Sequence, residues 1–205
     1  MAIEKAAVSA AQSEVPEEDQ LRANLYNYLG RCLVGPPDAG LLAVTADFIG
    51  DDTEIGQAMA ALARLARNVD PGSIGREYHD LFIGVGRGEL VPFASYYLTG
   101  FLHEKPLAKL RGTMGELGIA RSPDVKEPED HIGSLMEMMA GLITGKFGAP
   151  ADIEVQKAFF ATHVETWAAH FFKDLEAAKA SVFYQPIGRL GVAYMGIEAQ
   201  AFSMS

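Results

Sequence analysis

Apolar residues in this chain recur at three- and four-residue steps in one short stretch after another, and each stretch is cut off by proline or glycine. Leu21, Leu25, Tyr28, Leu29, Cys32 and Leu33 form the first such stripe, which Pro36-Pro37 stop. Asp38 is placed to cap a second helix through Leu41, Leu42, Thr45, Phe48 and Ile49, and Ile55, Met59, Leu62, Leu65, Ala66 and Val69 stripe a third. Pro71-Gly72 mark a turn, and Ser73 starts a helix carrying Ile74, Tyr78, Leu81 and Phe82 that Gly84 ends, before a Gly-rich loop to Val91. Helix restarts at Pro92, with aromatic residues on more than one side: Phe93, Tyr96, Tyr97 and Phe101. A helix of that kind is buried or lines a groove. Pro106 opens another helix through Leu117, with Gly118 as its cap, and Pro128 opens the stripe Ile132, Leu135, Met136, Met139, Leu142, Ile143. Phe160, Val164, Trp167, Phe171 and Leu175 form a later series, and Pro186 opens a last helix through Leu190, Tyr194 and Ile197. No stretch alternates with period two, so the expected fold is all-α, a compact bundle of about nine or ten helices.

With 205 residues and 49% of them hydrophobic, the chain can bury one sizeable core or two small lobes that share one. The loop 119–126 is the candidate hinge between an N-terminal lobe, 20–118, and a C-terminal lobe, 127–205. It is short enough that 20–205 could be a single domain, and a hinge there would permit lobe exchange, so both monomer and dimer are open. Residues 1–19 carry Glu4, Glu14, Glu17, Glu18 and Asp19 with no apolar core, and read as a disordered lead-in rather than a secretory signal. No uncharged apolar run approaches the ~20 residues that span a bilayer. Cys32 is the only cysteine, which excludes an intrachain disulfide and fits a reducing compartment, so the expected location is the cytoplasm. The net charge of −10 repels nucleic acid and anionic membranes and favours a basic partner.

The densest group of ionisable residues is Glu127-Pro128-Glu129-Asp130-His131, at the mouth of the methionine-rich stripe. Within a helix Asp130 and His131 would point about 100° apart, so they do not form an acid-base dyad. His131 and Ser134 share a face, but no nucleophile motif accompanies them, and a small hydrolase built on that pair is a weak reading. His79, His103, His131, His163 and His170 are scattered; only the last two fall in one predicted helix, two turns apart, which makes no metal site. Gly84-Val85-Gly86-Arg87-Gly88 follows a helical stripe instead of a strand and carries no Gly-Lys-Ser/Thr, so it reads as a loop and not a phosphate cradle. Met136, Met138 and Met139 read first as core, although methionine surfaces also suit adaptable binding.

Three separated blocks resemble one known family over most of the chain, from Leu21 to the end. They are Glu77 to Gly84 followed by Pro92-Phe93-Ala94-Ser95-Tyr96-Tyr97; Glu127 to Leu135; and His163, Trp167, Phe171, Leu175 with Phe183-Tyr184. These are similar to segments of the TorD/DmsD/NarJ family of molybdoenzyme maturation chaperones. The chain departs from the usual pattern at Val85, Val91 and Thr166, where relatives often carry proline. The resemblance implies an all-α TorD-like fold and no catalysis. It further implies a chaperone that binds the twin-arginine signal peptide of a molybdenum-cofactor oxidoreductase, holds the precursor from premature export and assists cofactor insertion. The family also implies no intrinsic cofactor, with weak GTP binding as an associated property that keeps a nucleotide-binding alternative open. Another alternative is a NarJ-like assembly chaperone of a subunit that is not exported. By motif match the signal-peptide-binding residues are Tyr78, Leu81, Phe82, Phe93, Ser95, Tyr97, Asp130 and His131. Glu127, with Glu129 and Asp130, would meet the arginine pair, and the aromatic segment would meet the apolar stretch that follows it.

Overall fold

In the computed structural model, which describes residues 15–122 and 125–204, these stripes become ten α-helices and one π-helical turn. In chain order they are α1 (Glu17–Val34), α2 (Ala39–Ala46), α3 (Glu54–Ala66), α4 (Pro71–Tyr78), α5 (Ala94–Thr99), α6 (Lys105–Glu116), α7 (Ile132–Thr144), α8 (Ile153–His163), α9 (Ala168–Ala177) and α10 (Tyr184–Met204). The π turn, His79–Ile83, continues α4 without a break. Among the described residues there is no strand, only an isolated antiparallel bridge between Phe93 and His131. The all-α expectation therefore holds. No helix among the described residues is long and apolar enough to cross a membrane.

Several helix ends follow the local rules. The Asp38 carboxylate accepts from the Leu41 N–H at 2.7 Å and starts α2. Gly84, with φ 61°, ends the π turn in the left-handed region that other residues avoid. Elsewhere the boundaries move. The fourth helix starts at Pro71, not Ser73, because Asp70 caps it by accepting from Ser73 N at 2.9 Å and proline has no N–H to lose at the first position. Helix α2 stops at Ala46, which leaves Phe48 and Ile49 outside it. Helix α5 stops at Gly100, so Phe101 is not in the aromatic helix and is 70% exposed. The series from Phe160 to Leu175 is broken after His163, and Trp167 precedes α9, so His163 and His170 lie on different helices. At the other end, α10 opens at Tyr184 with Pro186 inside its first turn. Most of the expected lead-in, residues 1–14, lies outside the described residues, and Glu17, Glu18 and Asp19 already form the first turn of α1, where carboxylates favour the helix dipole.

The core forms where α7, nearly all of whose side chains are buried, lies along α1. Their backbones approach at Gly30 and Gly133: a Cβ on Gly30 would stand 3.1 Å from the Gly133 carbonyl oxygen. Helix α10 packs on α9 and on α3, and Gly188 and Gly191 let it meet the α9 backbone and the Phe172 ring. Trp167, Phe159, Phe160, Phe171, Phe172, Phe183 and Tyr184 fill the space between, all essentially without solvent contact. Burying a side chain of this size contributes about 1.5–3 kcal/mol, so this aromatic group is a large part of the driving force. Elements from both expected lobes pack directly on each other, α1 on α7 and α3 on α10. One buried polar knot ties the first helix to the last: Glu198 receives two hydrogen bonds from Arg22, each 2.9 Å, and one from Tyr26 at 3.0 Å.

Candidate functional site

Two segments far apart in sequence lie side by side. Ala94 N–H donates to the Asp130 carbonyl at 3.0 Å, and Ile132 N–H donates to the Pro92 carbonyl at 2.9 Å. The Phe93 and His131 rings meet edge to face with centroids 5.1 Å apart. This bridge overturns the expectation that Pro128 opens a helix with Asp130 and His131 in its first turn. The helix begins at Ile132, and His131 is its N-cap, with extended backbone and Nδ1 accepting from Gly133 N–H at 3.1 Å. A neutral imidazole with Nδ1 accepting carries its proton on Nε2, and burial pushes the pKa down to about 4.

Asp130 sits in the turn that His131 N–H closes on the Pro128 carbonyl at 3.2 Å, and the chain turns extended only at His131, so the two side chains part. His131 faces a cavity of about 500 Å³ between α1, the α4–π segment and α7. Asp130 faces the other way, buried, with Oδ2 accepting from Ser95 N–H at 2.8 Å at the start of α5. It lines a second cavity, of about 380 Å³. Asp130 is thus the N-terminal cap of a helix 35 residues earlier in the chain.

The first cavity brings together five of the residues expected from sequence: Tyr78, Phe82, Phe93, Glu127 and His131. Tyr78 and Phe82 pack at 5.0 Å, and the Tyr78 hydroxyl donates to the Leu33 carbonyl at 3.2 Å. Burial, helped by the charge of Glu127, raises the Tyr78 phenol to about 12 and keeps it neutral. Leu81 does not reach the cavity; it is fully buried in the core. Ser95 is buried beside Asp130, and its hydroxyl lines neither cavity. Tyr97 stands apart, its hydroxyl donating to Asp174 at 3.0 Å and its ring against Trp167 and Phe171.

Glu129, expected beside Glu127 as a receiver of arginine, is already occupied. Arg111 donates two hydrogen bonds to one of its oxygens, at 2.8 and 3.0 Å, and Arg121 stands 3.8 Å from the other. Burial works against the charged form most strongly, but the Arg111 hydrogen bonds, a backbone hydrogen bond and the charges of Arg111 and Arg121 together hold the Glu129 carboxyl below its ordinary value. Glu127 is therefore joined at the cavity not by Glu129 but by Glu137, which sequence reasoning missed. Neither Glu127 nor Glu137 has an ion-pair partner among the described residues. The signal for Glu137 was present, because it is the only charged residue in α7. Val34 and Ile83 complete an apolar rim, about half exposed. Ser134 also lines this cavity, but it makes no hydrogen bond with His131, whose Nδ1 is engaged by Gly133. Met136 and Met139 are buried in the core, while Met138 reaches a smaller cavity of about 230 Å³ that shares Val125, Glu127, Ser134 and Glu137 with the first.

The arrangement is an apolar, aromatic-walled groove with two carboxylates that form no ion pair among the described residues, and with Lys126 also on its lining. Such a surface suits a cationic segment followed by apolar side chains. Comparison with known proteins identifies the family. The profile of the family described as nitrate reductase delta subunit matches residues 50–173. The chaperone protein TorD of Vibrio cholerae is 26% identical over 162 residues, covering 75% of this chain and 74% of that one. The Tat proofreading chaperone DmsD of Haemophilus influenzae is 30% identical over 122 residues, covering 58% and 57%. A redox enzyme maturation protein from Archaeoglobus fulgidus, known from its crystal structure, shares the fold with a TM-score of 0.56 at 20% identity, over 86% of this chain and 94% of that one. With more than half its length matched by the family profile, the chain belongs to the nitrate reductase delta subunit family, the TorD/NarJ group of chaperones.

Proposed function

We propose that this protein is a cytoplasmic maturation chaperone for a molybdenum-cofactor oxidoreductase and that the first cavity receives the twin-arginine signal peptide of the precursor. Holding that segment delays export while the cofactor is inserted and the client folds. The observation that carries the reading is the meeting of two carboxylates that form no ion pair among the described residues, Glu127 and Glu137, with the apolar wall of Tyr78, Phe82, Phe93, Val34 and Ile83. An arginine side chain presents a planar fork of donors to a carboxylate, and the following apolar residues gain by leaving water. The similarity to TorD chaperones and to a Tat proofreading chaperone supports it.

Calorimetric titration with a twin-arginine signal peptide tests the proposal. Charge-assisted hydrogen bonds contribute about 1.5–3 kcal/mol each, so replacing the arginine pair by Lys-Lys, or Glu127 and Glu137 by Gln, is expected to weaken binding by about tenfold or more. If neither change affects the affinity, the site assignment is wrong. The description of the matched family as nitrate reductase delta subunit favours a second reading, in which the client is a subunit that is not exported. In that case the Arg-Arg and Lys-Lys peptides bind alike, and a client N-terminus lacking the pair binds better than both.

A further inference from the structure

The second cavity lies on the opposite side of the Phe93–His131 bridge, where α5, α6, α7 and α8 meet. Its character is the reverse of the first. Leu98, Pro106, Leu110 and Leu135 line it, and the rim cations Lys105 and Lys109 stand one turn apart on α6. Both lysines are exposed, and neither has an ion-pair partner among the described residues. Leu98 is 45% exposed, and Phe101 and Leu102, the next large apolar residues along the chain, are 70% and 43% exposed. At the floor is Asp130, whose Oδ1 is buried without a hydrogen-bond partner among the described residues while its Oδ2 holds α5.

A chain with a net charge of −10 that keeps two unpaired lysines around an apolar hollow is selective for negative charge at that place. The apolar lining of Leu98, Pro106, Leu110 and Leu135 asks for Leu-sized side chains. We propose that the second cavity docks a segment of a partner polypeptide in which leucine-type side chains are flanked by Asp or Glu. The carboxylates pair with Lys105 and Lys109 at the rim while the apolar side chains enter between α5, α6 and α8. One side of the bridge, with Glu127 and Glu137, then serves a basic ligand, and the other, with Lys105 and Lys109, serves an acidic one. Two oppositely charged segments can be held at the same time.

The test uses two fluorescein-labelled synthetic peptides, one of leucine and glutamate and one with lysine in place of each glutamate, titrated against the full chain by anisotropy. The acidic peptide is expected to bind and the basic one not, with an affinity that falls as salt is raised. Exchanging both cations, Lys105→Glu with Lys109→Glu, is expected to weaken the acidic peptide by about tenfold or more, and because both side chains are exposed the fold is retained. Saturation with a twin-arginine peptide is expected to leave the acidic peptide's dissociation constant unchanged, and the acidic titration reads out even if the twin-arginine peptide does not bind. Equal binding of both charge types, or wild-type affinity in the double variant, overturns the proposal. So does self-association in sedimentation that the double variant abolishes, since the occupant would then be a second copy of the chain.

Discussion

Replacing Asp130 separates its two possible duties, because alanine and asparagine remove different things. The residue is 1% exposed, and its Oδ2 accepts from Ser95 N–H at 2.8 Å. Asp130→Ala leaves that N–H buried with no acceptor. A lost hydrogen bond to a charged group costs about 1.5–3 kcal/mol, and the lost charge at the start of α5 adds a few tenths to about 1 kcal/mol. The expected total is about 2–4 kcal/mol, which for a chain of this size lowers Tm by about 5–15 °C. Asp130→Asn keeps an oxygen acceptor at the same place and removes only the charge, so its expected cost is about 1 kcal/mol or less. Urea denaturation followed by far-ultraviolet circular dichroism measures both. An alanine variant within about 0.5 kcal/mol of wild type would refute the capping argument, since surface changes of no consequence fall in that range. The same pair reports on binding: if the Asp130 charge itself met the arginine pair, Asn would lose signal-peptide affinity while keeping its stability. The position of Asp130 behind the bridge predicts instead that Asn binds that peptide as wild type does.

Acid sensitivity follows from His131. Burial holds its folded pKa near 4 against an ordinary 6.5, so the unfolded chain takes up a proton at higher pH than the native one does. Its contribution is fully present above pH 6.5 and is lost as pH falls from there towards 4, by at most about 3 kcal/mol. His131→Asn keeps an N-cap acceptor that does not titrate, so the stability gap between wild type and variant should shift in the variant's favour across that window; a gap independent of pH, read from urea midpoints, would show that His131 is not buried as described. Gly188→Ala would set a methyl group against the backbone of Glu176 in α9, and a loss of about 1–3 kcal/mol is expected, whereas Gly196→Ala, with open space around it, should be neutral or slightly stabilising. Equal urea midpoints for these two glycine variants would mean that α9 and α10 do not pack as closely as Gly188 requires.

Much of the architecture was readable because helix formation is local. The Asp38 cap, the Pro36-Pro37 stop and the stripes of α1, α3 and α7 follow from interactions reaching three or four residues, and all reappear in the fold. Where the reading slipped, a distant partner had intervened. Pro128 is a good helix starter on its own, yet Pro128 to His131 form a turn, closed by His131 N–H on the Pro128 carbonyl at 3.2 Å, and the bridge to Phe93 holds His131 extended and delays α7 to Ile132. Likewise the periodicity from Phe160 to Leu175 is continuous on paper. The chain breaks at Val164 all the same, and Trp167 is buried with its indole N–H donating to the His163 carbonyl at 2.9 Å. Leu81 and Ser95 match the family's motif residues, but tertiary burial places both away from the first cavity.

From sequence alone came the all-α class, the approximate helix count, the family and the aromatic segments that wall the first cavity. Which carboxylates are open to a partner was decided only when the helices packed. Four acidic residues compete for that role, and the groups that hydrogen-bond two of them lie far along the chain. Glu129 is taken by Arg111, 18 residues away, and Asp130 by Ser95, 35 residues away, while Glu127 and the solitary Glu137 of α7 are left facing the groove. Charge pairing depends on separation in space, and the periodic rules that reveal a helix carry no information about distances beyond its own turns.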